Sequence, residues 1–557
     1  MRQKPVIYQV MTRLFGNTCR TRKPNGTIEE NGCGKMNDFD AATLKRIRQL
    51  GATHVWYTGI LRHATTTDYT AYGIPRQTPM VVKGKAGSPY AIADYYDVDP
   101  DLAVEVDNRM EEFIDLVKRT HEAGMKVVMD FVPNHVAREY MSVAKPETVR
   151  DLGETDNKEM HFSVTNNFYY CWGQPLDTSL LPQPGNGEAL YQECPARATG
   201  NDCFGNRPGP NDWYETVKLN YGIDYCDAGG RSTHFCPIPD TWGKMTDILL
   251  FWAAKGVDAF RCDMAEMVPA EFWHWAADKL KFVYPHVKLI GEVYNPTLYR
   301  TYLAAGFDYL YDKVGMYDCV RDVICGRRPA TDITRQWQAT DDILPHMLYF
   351  LENHDEQRLA SDFFAADARK GIPGLIVSTL LHPCAMMVYA GQELGETGME
   401  QEGFSGRDGR TTIFDYWSLE SIIQGYFDRR KLKKPARELM AIYTKVLTMA
   451  NEETVLREGV FYDLMYVNPQ LGERQFAFLR KHKNELALIV VNFGEEAVET
   501  SVRIPNHAFE WLSMRNGECS AVELLSGNTT RMMIQPDSDI PLVIPPTSGL
   551  IYKIILP

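Results

Sequence analysis

The chain has 557 residues with ordinary apolar and charged fractions of 44% and 24%, long enough to bury a sizeable core and too long for one ordinary domain. Its formal charge of −14 argues against nucleic acid as a partner and fits a neutral substrate. No apolar run reaches the roughly 18 residues a spanning helix needs, so no membrane span is expected.

Met1 to Lys4 lead straight into an apolar strand at 6–10, leaving no room for a secretory signal and predicting a cytoplasmic protein if the chain begins there. The cysteines point the other way. Cys19 and Cys33, Cys194 and Cys203, and Cys226 and Cys236 stand at short, loop-like intervals that suit disulfides, as in a periplasmic or extracellular protein whose signal has been removed. Free reduced thiols are the competing expectation. No Cys/His cluster has zinc spacing.

Strand-like segments at 6–10, 54–60, 126–132, 257–262, 288–292, 307–311, 347–351 and 385–389 alternate with helix-like ones, the pattern of parallel β/α units. Eight is the number of a closed barrel. Met110, Phe113, Ile114 and Val117 stand at i, i+3, i+4, i+7 on a helix expected to stop at Gly124; Met245, Ile248, Leu249 and Trp252 repeat the pattern up to Gly256. Both stripes are expected to pack on the barrel. From 136 to 240 the alternation breaks in a stretch rich in Gly, Pro, Asn and aromatics, which reads as an inserted subdomain after the third strand. The one basic cluster, Arg429 to Lys434, is expected to be a solvated face. Beyond residue 451, alternating strands such as 475–479 and 486–491 predict a C-terminal antiparallel β-sandwich. The expected fold is therefore α/β: a (β/α)8 TIM barrel of residues 1–135 and 241–450, an insertion at 136–240, and a β domain at 451–557.

Four of the strands end in ionisable groups: Asp130 with Asn134 and His135; Arg261 and Asp263; Glu292; and Glu352 to Asp355. Acids closing buried parallel strands share one rim of a barrel, where active sites are built. Asp263 and Glu292, on neighbouring strands, form a candidate pair for cleaving a glycosidic bond, one attacking and one donating a proton. Arg261 lies two residues before Asp263, so the two face the same way, and its charge is expected to depress the Asp263 pKa. Glu292, closing an apolar run, is placed for the partial desolvation that a general acid requires. Asp355, beside Asn353 and His354, suits hydrogen bonding to sugar hydroxyls and stabilisation of positive charge, and His135 suits donation to a neighbouring hydroxyl. Any one of these alone is more often a surface ion pair, a turn or a core histidine; the ordered set carries the argument.

That set resembles the four signature regions of the alpha-amylase family, the family 13 glycoside hydrolases: Asp130 to His135 the first, Asp258 to Asp263 the second, Gly291-Glu292 the third, and Phe350 to Asp355 the fourth. Lys218 to Tyr221 and Val388 to Glu393 are similar to further motifs of that family. Ser88 to Pro100 is similar to its segment after the second strand, where Tyr90 matches an aromatic ring set against the sugar being cleaved. The resemblance runs from about residue 5 to 450, nearest to bacterial alpha-amylase and neopullulanase-like members. It implies Asp263 as nucleophile, Glu292 as acid/base, Asp355 as transition-state stabiliser, Arg261 as partner of Asp263, and Tyr90, His135 and His354 as substrate-binding groups, with α configuration retained. The expected activity is hydrolysis of α-1,4-glucans or maltooligosaccharides, with α-1,6 links as a further target. The alternatives are a glucan-transferring or branching enzyme, which differs in how water is excluded, and a binding relative, which should lack a catalytic carboxylate.

Many endo-acting members carry Lys-His where this chain has Glu266-Met267, a departure that leaves the substrate open. That histidine also helps hold calcium in those relatives, so its absence counts against the usual site. Asn134 remains as a candidate ligand for a structural calcium, and the loop from Asn25 to Asp38 offers oxygens but few acids. The chemistry itself requires no cofactor. Phe168 to Trp172, Trp213 and Tyr214 are candidates for stacking on sugar rings, with core packing as the competing role. The loop 403–417 brings Arg407, Asp408 and Arg410 near the rim.

Overall fold

In the computed structural model, which describes residues 3–185, 188–401 and 406–557, the eight expected strands close into one parallel barrel. They are β1 (Val6–Met11), β2 (His54–Thr58), β3 (Lys126–Phe131), β4 (Ala259–Cys262), β5 (Lys288–Gly291), β6 (Tyr309–Tyr311), β7 (Met347–Phe350) and β8 (Ala385–Tyr389), with β8 pairing back onto β1. Every boundary falls within two residues of the expectation. The strands are buried along nearly their whole length, because one face fills the barrel interior and the other meets the surrounding helices. Asp130 of β3 pairs with Arg261 of β4, which in turn pairs with Ile290 of β5. Residues just beyond these positions therefore meet at one level of the rim.

Helix α1 (Arg109–Glu122) buries Phe113, Leu116, Val117 and Thr120. Ile114, expected on that stripe, instead points outward at 41% exposure. It follows Phe113 by about 100° around the helix, so a stripe centred on Phe113 and Leu116 turns it away from the barrel. Gly124 ends the segment with φ +75° and donates its N–H to the His121 carbonyl, a conformation that favours glycine. Helix α2 (Asp240–Ala253) buries Met245, Ile248, Leu249 and Trp252 as expected.

Between β3 and α2 the insertion forms short two-stranded ladders: His135–Ala137 with Thr216–Lys218, Tyr170–Cys171 with Ala196–Arg197, and Ile223–Asp224 with Ser232–Thr233. The first begins four residues after β3 and ties the insertion to the barrel rim. Phe168, Tyr169, Tyr170 and Tyr214 are buried, and Tyr169 packs edge-on against Phe204 at 5.3 Å. These rings build the insertion's own core rather than a sugar platform, because a stretch with so little regular structure has few other large apolar groups to bury.

The C-terminal domain is a six-stranded antiparallel sheet in the order β9-β10-β11-β16-β13-β14, comprising β9 (Val460–Asp463), β10 (Gln475–His482), β11 (Glu485–Asn492), β13 (Gly517–Glu523), β14 (Thr529–Ile534) and β16 (Ser548–Ile555). Strands β12 (Val498–Arg503) and β15 (Asp539–Ile544) pair separately, and β15 packs on β11, β14 and β16. β10 and β11 are buried on both faces, since the sheet also rests on helix α3 (Ile372–Leu380) of the barrel through β11 and β16, and on the short helix Thr454–Glu458 through β10 and β11. Buried Arg480 donates to the Leu380 and Leu381 carbonyls at 2.9 and 3.2 Å, fastening the two domains.

All twelve cysteines are free thiols, so none of the three expected disulfides is present. Spacing along a loop does not by itself bring two Cβ vectors into bonding geometry. Arg429, Arg430 and Lys431 are exposed, as a solvated face should be. Among the described residues no helix is long and apolar enough to cross a membrane.

Candidate active site

One guanidinium organises the rim. Arg261, 1% exposed, places Nη1 2.6 Å from Asp263 Oδ1 and 3.6 Å from Asp130 Oδ1, and Nη2 2.9 Å from Glu292 Oε2. Its planar face lies over the rings of Trp56, Tyr90 and Tyr311 at 5.3, 5.4 and 5.7 Å, which pins the group in place. The local causes are simple: Arg261 and Asp263 share a side by the period of two along the chain, and Asp130 joins them through the parallel register. Glu292 follows β5 and is held at both oxygens. Oε2 also accepts the Met264 N–H at 2.8 Å, and Oε1 accepts the Tyr294 hydroxyl at 2.8 Å. Met264 reaches that position with φ +46° and ψ 40°, an unusual conformation for a residue with a side chain.

Burial pushes the Asp263 carboxyl well above the usual range; Arg261 pulls it down, while Glu292 and Asp130 add to the rise. Arg261 depresses this group as expected, but the net shift is upward because burial outweighs it. The attraction is present, but one cation shared by several buried acids does not offset the loss of water. Burial likewise pushes Asp130 up to about 6 against the pull of Arg261 and the Trp56 N–H. Asp355 rises to about 7, through burial first and the Glu292 charge second. Its side chain keeps 34% exposure, so it looks into the open cleft rather than into the core. Acids packed this closely give up protons as a group.

Behind β7, Glu352 turns inward: it pairs with Arg358 at 2.9 Å, accepts the Leu359 N–H at 2.7 Å, and is pushed by burial up to about 7. Asn353 Oδ1 accepts the Asp355 and Glu356 N–H groups at 2.9 Å each, forming the turn that presents Asp355. His354 lies between. Its Nδ1 is 2.8 Å from Gln9 Nε2, an amide nitrogen that can only donate, so the imidazole proton sits on Nε2. That nitrogen faces the Tyr90 hydroxyl at 2.6 Å and Asp355 Oδ2 at 3.1 Å. Burial, then the Arg261 charge, drives the His354 pKa well down, keeping the ring neutral. The Tyr90 ring stacks on it at 5.1 Å.

His135 joins this group from the insertion's first strand, through a hydrogen bond with the Tyr90 backbone and a ring contact to Trp213 at 5.4 Å. Burial, followed by the charges of Lys218 and Lys83, takes its pKa down to about 3. Asp263, Glu292, Asp355, Arg261, Tyr90, His354 and His135 thus line one neighbourhood.

Asn134 faces elsewhere. Its Oδ1 accepts from Lys218 Nζ at 2.9 Å, its Nδ2 donates to the Gly200 carbonyl at 2.8 Å, and the same ammonium lies 2.5 Å from Asp202 Oδ1. Lys218 is 2% exposed. A divalent cation here would need the oxygens this ammonium already holds and would sit against its charge, so these residues do not fit calcium. In the other candidate loop, Asn31 Oδ1 accepts the Lys23 N–H at 2.8 Å and Asp38 Oδ2 accepts the Lys35 N–H at 2.6 Å. Among the described residues no group of three or more His, Cys, Asp or Glu side chains converges as a metal site.

Sequence reasoning missed several residues. Trp56 donates its indole N–H to Asp130 Oδ2 at 2.9 Å, Tyr311 and Trp56 flank Arg261, Gln9 sets the His354 tautomer, and Tyr294 holds Glu292. Asp130 was visible at a strand end, but its part in the acid cluster was not. An available signal was the inward register of aromatic residues on β2 and β6 at the level of the acids. Of the aromatics proposed for stacking, Trp213 lies beside His135, whereas Trp172 is 66% exposed with no ring contact to the site residues among those described. Part of the 403–417 loop lies outside the described residues. Within it, Arg410 pairs with Asp408 at 2.9 Å and its charge reaches Asp355.

Residues 29–283 match the family model described as alpha amylase, catalytic domain, and residues 466–555 match that described as alpha amylase, C-terminal all-beta domain. An alpha-amylase of Haloarcula japonica is 24% identical over 509 residues, covering 90% of this chain and 56% of that protein. The chain spans about half the length of the curated relatives it matches. Among solved structures, a maltogenic alpha-amylase of Thermotoga neapolitana shares the fold at a TM-score of 0.62 and 21% identity, over 100% of this chain and 99% of that one. An alpha-amylase of Geobacillus thermoleovorans, complexed with acarbose, does so at 0.65 and 19%, with 100% and 99% coverage. With both domain models matched in order onto an eight-stranded parallel barrel and an all-β end, the chain belongs to the alpha-amylase family.

Proposed function

We propose that the chain is a retaining α-glucoside hydrolase acting on α-1,4-glucans or maltooligosaccharides, with α-1,6 links as a further target. The observation that carries this reading is the single guanidinium touching both Asp263 and Glu292. It favours the short separation, about 5–5.5 Å, of a nucleophile and its acid/base over the wider gap that admits a water in inverting enzymes. Asp263, ionised beside Arg261, attacks the anomeric carbon while Glu292 protonates the departing glycosidic oxygen. Glu292 then takes a proton from water, which attacks the same carbon and frees Asp263. Asp355, neutral His354, Tyr90 and His135 line the sugar site and offer hydrogen bonds as positive charge develops. The names of the relatives, alpha-amylase and maltogenic alpha-amylase, support α-glucans as the substrate class.

Maltoheptaose followed by proton NMR tests this directly: newly formed reducing ends should appear first as the α anomer. Ends that appear first as β would contradict retention, and longer or branched products would favour the transferase alternative.

Calcium is not required in this reading, because Lys218 supplies the positive charge that joins Asn134 to Asp202. Dialysis against EDTA should leave both Tm and kcat unchanged. A fall in Tm reversed by added calcium would refute it.

A further inference from the structure

Glu266, one of the two residues by which the chain departs from endo-acting relatives, laces together the segments that follow β4 and β5. Its Oε2 accepts the N–H groups of Tyr294 at 3.1 Å and Asn295 at 3.0 Å. Tyr294, gripped at its backbone, turns its hydroxyl onto Glu292 Oε1 at 2.8 Å. Burial, then the Glu292 charge, pushes that phenol well above its ordinary pKa, so it remains a donor. Glu266 is anchored in turn. The Tyr302 hydroxyl reaches the Glu266 and Val268 carbonyls at 3.0 and 2.8 Å, and the Trp273 indole N–H reaches the Ala265 carbonyl at 3.1 Å. The same short segment supplies the Met264 N–H to the other oxygen of Glu292.

We infer that Glu266 is a positioning residue for proton transfer: by holding the backbone at 294–295 it aims Tyr294 at Glu292 and keeps the proton donor in line with the glycosidic oxygen. A carboxylate gripping two successive N–H groups makes charge-assisted bonds, stronger than neutral ones. A catalytic group that loosens by about 1 Å loses on the order of 10²-fold in rate. The inference rests on Glu292 being the acid/base.

The test compares kcat/KM on a maltooligosaccharide, whose leaving group needs a proton, with that on a dinitrophenyl α-maltoside, whose leaving group does not. Glu266→Ala should lose on the order of 10²-fold on the first substrate and little on the second. Glu266→Gln should recover most of the loss, since its amide oxygen still accepts both N–H groups. Equal losses on the two substrates, or none on either, would overturn the inference. If Glu266→Ala fails to fold, Tyr294→Phe carries the test and should show the same selectivity. Glu292→Gln is run alongside: selectivity there with uniform loss in Glu266→Ala overturns only the role of Glu266, whereas uniform loss in Glu292→Gln overturns the acid/base assignment itself.

Discussion

Replacing Arg261 by leucine is expected to destabilise the protein by about 3–5 kcal/mol near pH 7.5, the cost of stranding buried charges, and to cut kcat/KM by at least about 10³-fold. The loss should depend on pH. In the native protein the guanidinium lowers the pKa values of Asp263, Asp130 and Asp355, all of which burial already raises above 3.8. Without it those folded-state values rise further. A carboxyl whose folded pKa is raised favours the fold fully below its unfolded value, near 4, and that contribution disappears as pH climbs through the folded pKa. The penalty should therefore be greatest at pH 7–8 and shrink towards pH 4.5, as read from urea midpoints at the two ends. A loss independent of pH would show that Arg261 matters through packing over Trp56, Tyr90 and Tyr311 rather than through charge.

Asp263→Asn should remove about 10⁴-fold or more of kcat and yet raise Tm at pH 7.5. Asparagine mimics the protonated carboxyl that burial favours, so the variant avoids a charge that the folded native protein holds at a cost. Since the Asp263 pKa is raised on folding, the gain should be present at pH 7.5 and vanish near pH 4, where the native residue is already protonated. Retained activity would overturn the nucleophile assignment. An unchanged Tm across that range would overturn the electrostatic account. Together the two variants separate what the cluster does for the fold from what it does for chemistry: the acids strain the structure, and Arg261 makes that strain tolerable.

The barrel was readable because buried parallel strands appear as continuous apolar runs, and each of the site strands ends abruptly in a charged or polar group, as at Phe131-Val132 before Asn134 or Ile290-Gly291 before Glu292. The shared side of Arg261 and Asp263 was readable for a similar reason, since alternation along a strand is a local property. Ile114 shows where local pattern stops: two overlapping helical stripes exist in residues 110–117, and only the surface of the barrel selects one. The aromatic run Phe168 to Tyr170 shows it again, for composition does not say whether a ring faces a cleft or a core.

What the sequence determined by itself was the order of strands, the placement of acids at their ends and the identity of the family. The tertiary structure alone decided how those groups act on one another. Trp56 and Tyr311 meet Arg261 across 205 and 50 residues of chain, Gln9 reaches His354 across 345, and Lys218 takes the oxygens that Asn134 and Asp202 would offer a metal. The net rise at Asp263, against the pull of Arg261, has the same origin: a pKa depends on the charges and the water around a group in space, and neither is a property of its neighbours in sequence.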